Sequence, residues 1–134
     1  MRNSLIILVF GALFLSACDG LGSDAPVISN FMVLDDSLKV EPGAVLQFTA
    51  HFEDDNGLKQ YRVRIEDDFE GARLLSALWD YQEDFALSGM SADESLPIEM
   101  PYEDIEPGKY RLDVIVQDID LNETSVSQHF HVYE

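Results

Sequence analysis

From Val27 onward, apolar and polar residues alternate with a period of two, and clusters of Asp, Asn, Gly and Pro break the alternation into short runs. A period of two sends successive side chains to opposite faces of an extended backbone, and no sustained helical period competes with it. The pattern predicts strands over residues 27–34, 45–53, 59–66, 79–87, 96–100, 109–117 and 124–133. The same alternation assigns faces. Leu46, Phe48, Ala50 and Phe52 share one face of the second run, Tyr61, Val63 and Ile65 one face of the third, and Tyr110, Leu112, Val114 and Val116 one face of the sixth. Val126, Phe130 and Val132 do so in the last run, and Trp79, Tyr81, Phe85 and Leu87 form a further row that would cap or extend this candidate core.

Seven strands of this length and spacing suit an all-β fold, a two-sheet sandwich of the immunoglobulin or fibronectin type. Turn chemistry supports the breaks. Asp54-Asp55-Asn56-Gly57 supplies residues tolerant of positive φ, and Glu106-Pro107-Gly108 does the same ahead of the sixth run. Tyr110 stands where such sandwiches place a corner tyrosine, whose hydroxyl bonds back to the chain; a plain core aromatic is the alternative. Residues 72–78 are ambiguous, because Leu74, Leu75 and Leu78 also fit one helical turn, and a loop or short helix across an end of the sandwich is expected.

Ahead of the alternation, Arg2 precedes an apolar segment from Leu5 to Leu15, and the run Leu15-Ser16-Ala17-Cys18 closes it. The segment is too short to remain as a membrane-spanning helix and suits a secretory signal. The run resembles the bacterial lipobox, in which small residues precede a cysteine whose thiol receives a diacylglycerol. That resemblance implies a signal peptide over residues 1–17, a lipidated Cys18 with a tether through residue 25 rich in Gly, Ser and Asp, and one domain over residues 26–134. An ordinary signal peptide with a coincidental cysteine is the alternative. Asp19 is of the kind that sorting systems in some bacteria read, so the choice of inner or outer membrane depends on the host.

Charge narrows the partners. The chain carries 26 acidic and 8 basic residues, a formal charge of −18, and every acidic residue follows the signal. Nucleic acid and anionic headgroups both demand a basic surface, which leaves membrane contact to the acyl chains on Cys18. With its one cysteine acylated the domain has no disulfide and must rely on its apolar core.

The chain resembles the Bacteroidota lipoproteins grouped as domain-of-unknown-function family 4625. The likeness rests on the lipobox, on Ala25-Pro26-Val27-Ile28, on Leu46-Gln47-Phe48 through Asn56-Gly57-Leu58, on Asp68-Phe69-Glu70-Gly71, on Pro107-Gly108-Lys109-Tyr110 and on the closing turn from Asp118 to Asn122. It implies an immunoglobulin-like fold, a cell-envelope location and no established activity. Where members of the family carry histidines after the Phe-Asp-Gly segment, suggesting metal handling, this chain has Ala72 and Arg73, so no metal role carries over through that loop.

Three constellations bear on chemistry. No Gly-x-Ser-x-Gly elbow or free cysteine beside a histidine is present, and carboxylates are too numerous for a pair to be informative, so no enzyme is expected. Asp118, Asp120 and Asn122 are spaced like the opening of a calcium loop, which Asp54 and Asp55 would supplement if the two turns share an end; the competing reading is a hairpin turn that bonds its own backbone. His129 and His131 project to one face and could chelate a transition metal, but His51 belongs to the opposite sheet, and Arg62, Arg64, Arg111, Asp113 and Ile115 are the expected neighbours, so a solvated pair is favoured. Lys59, Arg62, Arg64, Lys109 and Arg111 concentrate on two strands expected to pair. Arg62, Arg64 and Arg111 share the histidines' face, and with Ile115 and Tyr133 they form either a docking surface for an acidic envelope protein or glycan or a ladder of cross-strand ion pairs. The expectation is a lipid-anchored envelope lipoprotein that acts as a binding or accessory module without a required cofactor. The alternative is a metal-binding lipoprotein, with calcium at the acidic turns or a transition metal at His129 and His131.

Overall fold

The computed structural model describes residues 24–70, 77–101 and 104–134. Arg2, the lipobox with Cys18, and most of the ambiguous 72–78 segment, Arg73 included, lie outside them. Among the described residues eight strands form: β1 (Val27–Val33), β2 (Ser37–Lys39), β3 (Val45–Glu53), β4 (Leu58–Asp67), β5 (Tyr81–Ala86), β6 (Ser91–Glu99), β7 (Gly108–Asp118) and β8 (Glu123–Tyr133). They build a three-stranded sheet in the order β1-β3-β6 and a five-stranded sheet in the order β2-β8-β7-β4-β5. This is an immunoglobulin-like sandwich.

The alternation does the work expected of it. Leu46, Phe48, Ala50 and Phe52 face Tyr61, Val63, Ile65, Tyr110, Leu112, Val114, Val116, Phe130 and Val132 across one buried core. The Phe52 and Tyr61 rings meet between the sheets with centroids 5.3 Å apart. The corner tyrosine forms: the Tyr110 hydroxyl donates to the Glu106 carbonyl at 2.7 Å.

Three boundaries differ from the sequence-based expectation, each for a physical reason. β2 is three residues long and pairs in parallel with β8, too short for any period to declare itself, yet Leu38 is buried by that pairing. β6 begins five residues earlier than expected, because Glu94 occupies an inward position where the pattern wants an apolar residue; there it accepts a hydrogen bond from the Tyr61 hydroxyl at 3.1 Å. Trp79 lies outside β5. It enters the core from the preceding loop and packs edge-on against Phe130 and Tyr110, at 5.6 and 6.5 Å.

Two of the short segments quoted above interlock. Phe69 packs edge-on against Tyr110, and a Cβ built on Gly108 would overlap the Phe69 ring. The Asp68 amide donates to the Lys109 carbonyl at 2.9 Å. Glycine at position 108 is what lets the two segments close on each other.

Candidate functional site

The pairing of β4, β7 and β8 builds the outer face of the five-stranded sheet. Its register sets Arg62 opposite Ile115, Arg64 opposite Asp113 and Arg111 opposite His129, as the expected neighbours required. The charges on this face meet one another. Arg62 donates two bonds to Asp84 at the β5 edge, at 2.6 and 3.1 Å. Arg64 and Arg111 both reach Asp113, at 2.8 and 2.9 Å, and Ser127 donates to the same carboxylate at 2.6 Å. Glu66 adds a bond from Arg111 at 3.0 Å. His129 contacts Asp68 at 2.7 Å, with the Lys109 ammonium 3.5 Å from the same carboxylate.

Electrostatics follow from this arrangement. Burial by itself would raise the Asp113 carboxyl, but the bonds from Ser127, Arg64 and Arg111 outweigh it and hold the group below the ordinary carboxylate range. The bond to His129 lowers Asp68 in the same way. The cross-strand ladder is thus the observed state of Arg62, Arg64, Arg111 and His129. Arg64, Arg111, Asp113, Ile115, Ser125 and Ser127 line a shallow hollow on this face. A partner there would meet alternating charges rather than a bare basic stripe.

The two acidic turns share one end of the sandwich, as the calcium reading required. Asn56 donates to Asp120 at 3.2 Å, and the Ile119 amide donates to the Gly57 carbonyl at 3.0 Å. Their best-placed oxygens are nevertheless engaged by the turns. Asp54 Oδ1 accepts from the amides of Asn56 and Gly57, both at 2.8 Å, and Asp118 accepts from the Asn122 amide and side chain, both at 2.8 Å. Asp55 and Asp120 are exposed, Asp120 with the Asn56 amide as its partner. Among the described residues no group of three or more His, Cys, Asp or Glu is arranged to hold a metal ion.

On the opposite sheet, His51 lies between Asp93, 2.6 Å from Nδ1, and Glu53, 3.0 Å from Nε2. Those two hydrogen bonds, Glu53 contributing most, raise the imidazole above its usual value. His51 is separated by the core from His129 and His131, as expected. Asp93 escaped the sequence reading because it sits on the stretch of β6 that Glu94 had disguised.

Residues 16–133 match the model of a family described as a domain of unknown function, DUF4625. No curated protein matches the chain. Among solved structures, OgpA from Akkermansia muciniphila superposes with a TM-score of 0.60 at 11% identity, over 83% of this chain and 29% of OgpA. This chain therefore spans under a third of that protein, and the likeness is one of fold. The CARDB domain of a Pyrococcus furiosus protein in complex with di-metal ions gives a TM-score of 0.43 at 10% identity, covering 83% of this chain and 89% of that one. A β-glucosidase from Listeria innocua gives 0.45 at 15% identity, over 84% and 16%.

Proposed function

This chain belongs to the DUF4625 family, and we propose that it serves as a lipid-anchored lipoprotein of the cell envelope, a binding or accessory module without catalytic activity. The observation that carries the reading is Cys18, set behind small residues at the end of an apolar segment and followed within a few residues by the sandwich. The acyl chains on that thiol would hold the protein at the membrane, since two or three tails anchor firmly where one is marginal. The side-chain chemistry supports a module: Asp54 and Asp118 stabilise turns, and Asp113 and Asp68 balance the basic residues around them. The binding face in this reading is the outer face of the five-stranded sheet, where Arg62, Arg64, Arg111, His129 and His131 lie. Its partner is another envelope protein or a glycan.

The test is expression of the full chain in a bacterium with an intact lipoprotein pathway, followed by fractionation and mass spectrometry of the N-terminus. The reading expects an acylated Cys18 in the membrane fraction, and a Cys18→Ser chain that leaves it. An unmodified, soluble wild-type chain would overturn it. Cross-linking in membranes then seeks the partner, and Arg62 is the position to reverse, because Arg64 also supports Asp113.

A further inference from the structure

We propose that the loop end of the sandwich rests on a zwitterionic bilayer surface, with Met90, Ile119 and Leu121 as its contact points, while the chain is held there through Cys18. The inference deepens the anchored reading and rests on it. Three turns make this end: residues 54–57 between β3 and β4, residues 87–90 between β5 and β6, and residues 119–122 between β7 and β8. They are bonded to one another, the amides of Asp54 and Leu58 donating to the carbonyls of Met90 and Gly89 at 2.9 and 2.8 Å, and that of Ile119 to Gly57. The end is therefore a single surface rather than three separate tips.

That surface carries exposed apolar side chains among its carboxylates, at positions where turns are ordinarily polar. Met90, Ile119 and Leu121 are 62%, 55% and 60% exposed. Ile119 lies over Gly57, whose added Cβ would come 3.7 Å from it and 3.8 Å from the Gly89 carbonyl, so the isoleucine and the Gly89-Met90 turn are neighbours. Leu121 has a φ of 71° in a hairpin turn closed by its own amide on the Asp118 carbonyl at 3.2 Å. Hairpins of this kind place glycine or asparagine at that position, because a bulky side chain is strained there. Leu121 is 60% exposed there, so most of its apolar surface is open to something outside the domain.

The tether identifies that neighbour. Asp24, Ala25 and Val27 border Glu53, Asp54 and Asp55, so the described chain starts at this same end. Five residues lie between Cys18 and Asp24, and the six Cα-to-Cα steps span at most about 20 Å when extended. An anchored Cys18 thus keeps these loops, and not the opposite end, next to the bilayer. Such confinement makes a weak apolar contact sufficient, since the effective concentration of the membrane is set by the tether. The exposed carboxylates of Asp24, Glu53, Asp55 and Asp120 around the patch suit headgroups that carry an amine and oppose anionic lipid.

The experiment uses the full acylated chain in vesicles of phosphatidylethanolamine and phosphatidylcholine. With Cys18 blocked by its lipid, a single introduced cysteine at Asp120→Cys or, at the far end, Glu41→Cys carries an environment-sensitive fluorophore, and lipid-borne nitroxides act as quencher. The expected result is blue-shifted emission at position 120, quenched about twofold or more relative to position 41. Adding Ile119→Ser and Leu121→Asn should cut the difference back to what the tether alone imposes, and raising the share of anionic lipid should weaken it; an unchanged difference in the double variant overturns the docking. Equal quenching at both positions with Cys18 acylated overturns the docking alone. Shielding at position 120 without lipid quenching assigns the patch to a protein or a second copy and overturns it as well. An unmodified Cys18 overturns the anchored reading and this one together.

Discussion

Asp113 points to the outer side of the five-stranded sheet and is still only 4% exposed, because Arg64, Arg111 and Ser127 close over it. Removing it would leave two guanidinium groups beside each other without their shared acceptor. Asp113→Ala is expected to cost about 2–3 kcal/mol, the range for charge-assisted bonds lost from a shielded carboxylate, and urea denaturation checks it. Because the folded-state pKa of Asp113 is depressed, its contribution is present above the ordinary aspartate value and is lost as pH falls through the folded one. His51 works in the opposite sense. Its pKa is raised by Glu53 and Asp93, so its contribution is complete below about pH 6.5 and fades as pH rises through the folded value. Comparing His51→Gln with the parent by thermal melting should show a wider gap at acid than at alkaline pH. Equal gaps would mean that the two carboxylates do not stabilise the imidazolium.

Among elements, the loop after β4 and the start of β7 depend on one glycine. Gly108→Ala forces the Phe69 ring off Tyr110, and a loss of about 2 kcal/mol or more is expected from the displaced aromatic packing. In the Phe69→Ala background the same substitution should cost less, what remains being the strain of a side chain at a φ of 151°, and a double-mutant cycle measures the coupling directly. The β4 arginines differ in the same element-level way. Arg62 pairs with Asp84 on the edge strand β5, where solvent screens an exposed pair and leaves it little weight, whereas Arg64 faces the shielded Asp113. Arg62→Glu should melt close to the parent, and Arg64→Glu well below it. Equal melts would show the ladder to be energetically uniform.

For the whole molecule, the metal alternative is settled by adding calcium, zinc or copper to the chain after chelator. Turns that spend Asp54 and Asp118 on backbone amides predict no shift in Tm, whereas a cation held only by the folded state would raise it by several degrees. Seven of the eight strands found among the described residues, the facing core rows and the hairpin breaks were legible in the chain, because each is set by residues a few positions apart: period two decides the face, and Asp, Asn and Gly decide the bend, whereas the three-residue β2 is too short to show a period. The pairing of the two basic strands followed from the fold type and proved correct. Only the tertiary structure decided that Glu94 turns inward to Tyr61, that Trp79 reaches the core from a loop, that Phe69 lies over Gly108, and that three turns bond into one end where Met90, Ile119 and Leu121 are exposed. The charge partners belong to the same class. Whether Arg64 faces solvent or Asp113 depends on the register between strands 49 residues apart, and a local pattern of apolar and polar positions carries no information about which distant carboxylate a given cation will meet.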